Sequence, residues 1–203
     1  MSQDETQDPK NDLENWRGDL GLTDLLGEKD VLKFEPRIEA LGQLDEASSA
    51  LGLVRTCPVS PATKDMILDI QRDLCWMMSE LAATTPEEKV PTHITASRVH
   101  YLQVEFHRRT AEIPLGDAFI VPGDSQSSAM LHLARSIVRR AERHVTLLKH
   151  QEGFENEYIL PYLNRLSALL YVLARGEDRI EGRTSTQAHQ STRPADKPHD
   201  APK

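Results

Sequence analysis

A chain of 203 residues, 38% of them hydrophobic, is long enough for one domain with a sizeable core and polar tails. Its formal charge of -8 excludes a general nucleic-acid binder, whose surface must offer phosphate clustered positive charge. Two cysteines, Cys57 and Cys75, are too few for a disulfide scaffold or a structural zinc site and fit a reducing cytoplasm, and no apolar run approaches the roughly 18 residues of a membrane helix.

In chain order, residues 1–14 are polar and acidic, unlike a signal peptide, and are expected to be disordered. The stretch Arg17-Gly-Asp-Leu-Gly-Leu-Thr-Asp-Leu-Leu-Gly27 is too broken for a helical or a strand period and reads as a Gly-rich loop. Helices are then predicted over 36–54 and 61–83, each opened by a proline suited to a first turn, and over 94–112. A fourth runs from near Ser125, with serines as caps, to His150, and a fifth from Glu155 to Ala174. Short linkers between such helices predict an all-α, five-helix antiparallel bundle over 15–176, with a disordered tail over 177–203.

The fourth helix carries the most chemistry. Ala134, Val138, Ala141, Val145 and Leu148 fall on one apolar stripe, and Arg135, Arg139 and Arg143 form a second stripe beside it. Guanidinium is planar and always charged, so a row of it beside buried surface suits a phosphate or carboxylate ligand. The alternative is a solvated face on which Glu142 pairs with Arg139 at i,i+3. His100 and His107 are seven apart on the third helix, and without a third ligand nearby they read as surface or interface histidines.

Five blocks in one order carry a family resemblance: Gly18-Asp-Leu-Gly-Leu-Thr23; Lys33-Phe-Glu-Pro-Arg-Ile-Glu-Ala-Leu-Gly42 with Asp45-Glu46; Phe119-Ile-Val-Pro-Gly123; His132 to Arg143 with its Arg-Arg-Ala-Glu-Arg core; and Asn164-Arg-Leu-Ser167. Over about Arg17 to Arg175 the chain resembles the ATP:cob(I)alamin adenosyltransferases of the propanediol-utilisation and human mitochondrial type. The resemblance implies a homotrimer with sites between subunits and transfer of the 5′-deoxyadenosyl group of ATP to the cobalt of cobalamin. It implies that Gly18, Asp19, Gly21, Thr23 and Lys33 cradle phosphates with Mg2+, whose protein ligands it leaves unknown. Arg139, Arg143 and Asn164 would contact ATP. Arg139, Asn164 and Glu142 would form the catalytic group, Glu142 orienting an arginine or a metal-bound water. On the corrinoid side Asp45 would pair with Arg135 across the subunit interface, and Phe119 would fill the space beneath the corrin ring. Phe119 also has the plainer reading of an ordinary core residue. An adenosylcobalamin-dependent enzyme is the implied acceptor, the location cytoplasmic, and neither nucleic acid nor membrane a partner.

Several positions depart from the family pattern. Asn15, Trp16 and Arg17 replace an entry motif with two hydroxyls, Ala47 and Ser48 follow Asp45-Glu46, His107 stands at an acidic position, Asp124 replaces the second glycine of a Pro-Gly-Gly turn, and Ala168 replaces an aspartate. A second reading therefore stands beside the enzyme: a non-catalytic or altered relative that binds corrinoid or ATP for storage, delivery or sensing.

Overall fold

A computed structural model describes residues 16–88, 90–113, 115–116 and 118–189. The expected disorder of residues 1–14 and that of 190–203 lie outside them. After a 3-10 turn over Arg17–Leu20 come two short strands, β1 (Leu22–Leu25) and β2 (Glu28–Leu32), and five helices: α1 (Pro36–Thr56), α2 (Pro61–Ala82), α3 (Ala96–Glu112), α4 (Gln126–Gln151) and α5 (Ile159–Ile180). The five predicted helices are present with ends displaced by a few residues.

Proline opens α1 and α2, and Ser60 caps α2 by accepting from Thr63 N at 3.1 Å. Ser125 caps α4 in the same way, accepting from Ser128 N at 3.2 Å. The predicted apolar stripe of α4 is the buried one: Ala134, Val138, Ala141, Val145 and Leu148 are all fully enclosed. They meet Leu44, Leu51 and Val54 of α1 and Leu163, Leu166 and Leu170 of α5 in one continuous core. Side-chain bonds give the directions. Arg37 at the start of α1 reaches Leu81 O at the end of α2 and Glu152 just after α4, so α1 is antiparallel to both. Arg165 bonds Gln103 and Arg179 bonds Glu112 O, so α3 and α5 run parallel. Five helices cannot alternate direction all the way round a closed bundle, and α3 with α5 is the pair that breaks the expected antiparallel rule.

Two expectations are corrected. The Gly-rich stretch is not an irregular loop throughout: β1 and β2 pair antiparallel, Thr23 opposite Val31 and Leu25 opposite Glu28, with an irregularity between Thr23 and Leu25. That irregularity breaks the period of two that would have marked a strand. Leu26 at the tip then docks on α2, its N–H donating to Ala82 O and its carbonyl accepting from Thr84 N, both at 3.0 Å. The tail expected to be disordered from 177 is ordered to His189. Glu177 and Asp178 are buried inside α5, where Thr63 donates to Glu177 at 3.3 Å, and Ser125 and Ser128 each donate to Asp178 at 2.9 Å. Their polarity resembles a tail only when the partners are unseen.

Candidate active site

Two groups of side chains correspond to the residues singled out above. The first is the entry turn and hairpin. Gly21 ends the 3-10 turn at φ 75, a left-handed conformation that glycine adopts freely, and its carbonyl accepts from Lys33 N at 2.9 Å. That bond brings the end of β2 back over the turn, where Lys33 Nζ donates to Gly18 O at 2.8 Å. A Cβ on residue 18 would stand 2.9 Å from Lys33 Nζ and would push the end of that flexible side chain aside. Asp19 closes the turn by accepting from Trp16 N at 3.1 Å, and Thr23 is held in β1. Gly18, Asp19, Gly21, Thr23 and Lys33 thus belong to one turn-and-hairpin unit, called the cradle below, with the Lys33 ammonium exposed beside Gly18.

The second group lies on α4 and α5. Asn164 Nδ2 donates to Glu142 Oε1 at 3.2 Å, joining two residues 22 positions apart on neighbouring helices. Arg139, one turn before Glu142, and Arg143, next to it, are exposed, and among the described residues neither is ion-paired; Arg143 reaches only Arg139 O, at 3.0 Å. The expected Glu142–Arg139 alternative is therefore not formed, because Glu142 turns toward α5. Arg140 takes a different part: it bonds Gln43 at 2.6 Å and also bonds Glu46, fastening α4 to α1. Mg2+ suits one carboxylate together with phosphate oxygens, and Glu142, with one oxygen on Asn164, fits that limited role. No cluster of three metal-ligating residues exists among the described residues, and both His100 and His107 are exposed.

Nearer the start of α4 a cavity of about 340 Å³ is lined by Phe119, Ile120, Pro122, His132, Arg135 and Tyr171. Phe119 is 77% exposed, which excludes the core reading; its ring is a wall facing outward. Arg135 lies over the Tyr171 ring at 5.5 Å, and its pKa is lowered by burial and by Arg139. His132 packs edge-on to Tyr171, is buried, and has its pKa lowered by burial first and Arg135 second, so the imidazole is held neutral. His132, the fully buried Asp73 and Asp178 were not singled out by sequence reasoning. His132 sat within a quoted block, and Asp73 gave no local signal because its partners are far away in the chain.

Asp45 is exposed on α1, and within one chain no ion pair joins it to Arg135. Nor does any hydrogen bond or ion pair join the hairpin cradle to the Arg139–Asn164 group among the described residues.

The helical bundle thus carries a glycine turn with an exposed ammonium at one place, unpaired exposed Arg139 and Arg143 at another, and an aromatic-walled cavity at Arg135 beside them. Comparison with known proteins identifies the class. Residues 15–177 match the cobalamin adenosyltransferase family. The chain is 38% identical over 165 residues to the corrinoid adenosyltransferase of Bacillus subtilis, covering 78% of this chain and 82% of that protein. It is 35% identical over 165 residues to the corrinoid adenosyltransferase PduO of Citrobacter freundii, covering 79% of this chain and 48% of that protein. The chain therefore spans about half the length of the PduO relatives from Citrobacter and Salmonella. A variant PduO-type ATP:corrinoid adenosyltransferase from Lactobacillus reuteri, solved with cobalamin and ATP, superposes with a TM-score of 0.80 at 28% identity, covering 86% of this chain and 97% of that one. The chain belongs to the cobalamin adenosyltransferase family.

Proposed function

We propose that this chain transfers the 5′-deoxyadenosyl group of ATP to cob(I)alamin, giving adenosylcobalamin and triphosphate, as a homotrimer with sites between subunits. The observation that carries this reading is the alignment on α4: Arg143, Arg139 and Arg135 rise one turn at a time from the Glu142–Asn164 pair toward the Phe119 cavity. At 1.5 Å per residue the outer two are roughly 12 Å apart along the helix, a span that lets one face serve triphosphate and corrin together. Reduced cobalt attacks the ribose 5′ carbon, a cobalt–carbon bond forms as the carbon–oxygen bond to triphosphate breaks, and cobalt supplies the electron pair. No protein nucleophile is needed. Arg139 and Arg143 take up charge on the leaving triphosphate, Asn164 and Glu142 fix their geometry, and Lys33 with the Gly18–Thr23 cradle of a neighbouring subunit holds the phosphates. Mg2+ would arrive with the triphosphate beside Glu142 and offset its charge. Phe119 keeps water from the lower face of cobalt, and Asp45 of one subunit pairs with Arg135 of the next. The exposed Trp16, Leu20 and Phe34 around the cradle favour a site completed by a second copy. A cytoplasmic location and an adenosylcobalamin-dependent enzyme as acceptor complete the reading.

Anaerobic mixing of the protein with chemically reduced cobalamin and ATP tests it. Optical conversion to a light-sensitive alkylated product is expected, and its absence would sink the reading. Ala168, one turn from Asn164 where the family pattern has aspartate, favours the second reading of a ligand-binding relative. Tight adenosylcobalamin binding without turnover would support it, with activity emerging in Ala168→Asp.

A further inference from the structure

The segment after α5 and the loop before α4 are joined into one unit, and an unusual residue does the joining. Val121 N donates to Thr186 O and Ala188 N donates to Phe119 O, both at 2.8 Å, so Gln187 lies opposite Ile120 in an isolated antiparallel bridge. A bridge this short is marginal in water by itself. Asp124 reinforces it: Thr186 N donates to one carboxylate oxygen at 2.8 Å and Thr186 Oγ1 to the other at 2.7 Å. Both bonds go to a charged acceptor and are correspondingly strong. The base of the segment is fixed by buried Asp178, which accepts from Ser185 at 3.1 Å while its carbonyl accepts from Arg183 N at 2.7 Å. Gly123, at φ 131, lets the chain turn from the bridge into the start of α4 and so aims Asp124 back at the strap. Asp124 stands at the position that resemblance assigns to a second glycine, which has no side chain to offer Thr186.

We propose that Asp124 is a positioning residue for the corrinoid: it straps residues 183–189 across residues 119–121 and so sets Phe119 as a wall of the Arg135 cavity before any ligand arrives. This rests on the reading above that the cavity receives the corrin. Asp124 does not line the cavity and acts only through Thr186 and the loop. A loop that is ordered beforehand does not have to be ordered on binding, so the clamp raises corrinoid affinity while leaving ATP, held elsewhere, unaffected.

The full chain and its Asp124→Gly, Asp124→Asn and Thr186→Val variants decide the matter. In Asp124→Gly the amides of Val121 and Ala188 exchange hydrogen faster while helix amides keep wild-type protection, and affinity for cob(II)alamin, titrated anaerobically by absorbance, falls about tenfold. Asp124→Asn, which keeps an acceptor oxygen, recovers part of that loss, Thr186→Val shows an intermediate one, and ATP affinity by calorimetry stays within about twofold throughout. Unchanged cob(II)alamin affinity in Asp124→Gly overturns the assignment, as does a parallel loss of ATP affinity and helix protection, which would make Asp124 merely structural. A wild-type chain that binds no cob(II)alamin overturns the reading of the cavity and the assignment with it; normal wild-type binding that ignores Asp124 overturns the assignment alone.

Discussion

Asp73 shows how much one side chain can hold. It is 1% exposed, yet it accepts from Tyr162 Oη at 2.6 Å, bonds His93 at 3.2 Å and receives Arg98 through two nitrogens, so α2, α3, α5 and the segment before α3 converge on one carboxylate. Asp73→Ala leaves Arg98 and the Tyr162 hydroxyl without their acceptor and is expected to cost about 3 kcal/mol in a urea unfolding experiment. His132 gives a second expectation. Its folded pKa is lowered by burial and Arg135, so below about pH 6.5 the unfolded chain takes up a proton that the folded chain resists. The contribution is fully present above that pH and is lost as pH falls through the folded value. Between about pH 7.5 and 5.5 the wild type should therefore lose more stability than His132→Gln, and equal losses would exclude His132 as the cause. At this scale the arginine row was legible because its signal is local spacing, whereas the grouping of Gly18 with Lys33, 15 residues on, came only with the family resemblance. Arg140 and the acidic pair Glu177 and Asp178 were not legible. Whether a charge faces ligand, solvent or a buried hydroxyl depends on partners such as Ser125, 53 residues from Asp178, and Gln43, 97 from Arg140.

Among elements, the helices announced themselves and the hairpin did not. Proline and serine starts with 3.6-residue stripes over 20 or more positions, as in α4, add evidence turn by turn, whereas strands of four and five residues with an irregular register add almost none. The hairpin's placement is set by its tip. Gly27, at φ 90, sits against α2's end so closely that a Cβ would meet Thr85 Oγ1 at 2.9 Å. Gly27→Ala meets both a strained backbone and a crowded neighbour, a local cost of about 1–3 kcal/mol. The cradle should then shift from the end of α2, raising the ATP KM about tenfold while the melting midpoint of the helical core moves by only a few degrees. An unchanged KM would show that the hairpin's seat on α2 does not position the cradle.

For the whole molecule, the proposed completion of the site by cradle and arginine row from neighbouring subunits has a direct test. Lys33→Ala and Arg139→Ala subunits are each expected to be nearly inactive alone. Mixed by reversible unfolding and refolding, they should regain about a quarter of wild-type sites, because in a closed ring one interface in four joins an intact cradle to an intact arginine row. No recovery would place both halves of the site in the same subunit. An assembly of that kind, where it exists, cannot be read from one chain's periodicity, which reports what each helix buries against its own neighbours. The two tryptophans follow from the same layout. Trp16 is exposed at the rim of the cradle, while Trp76 is stacked on His93 at 5.2 Å. If a second copy covers the cradle as proposed, the emission of Trp16 should move to shorter wavelength on assembly, while that of Trp76, held on His93 within one chain, should stay where it is.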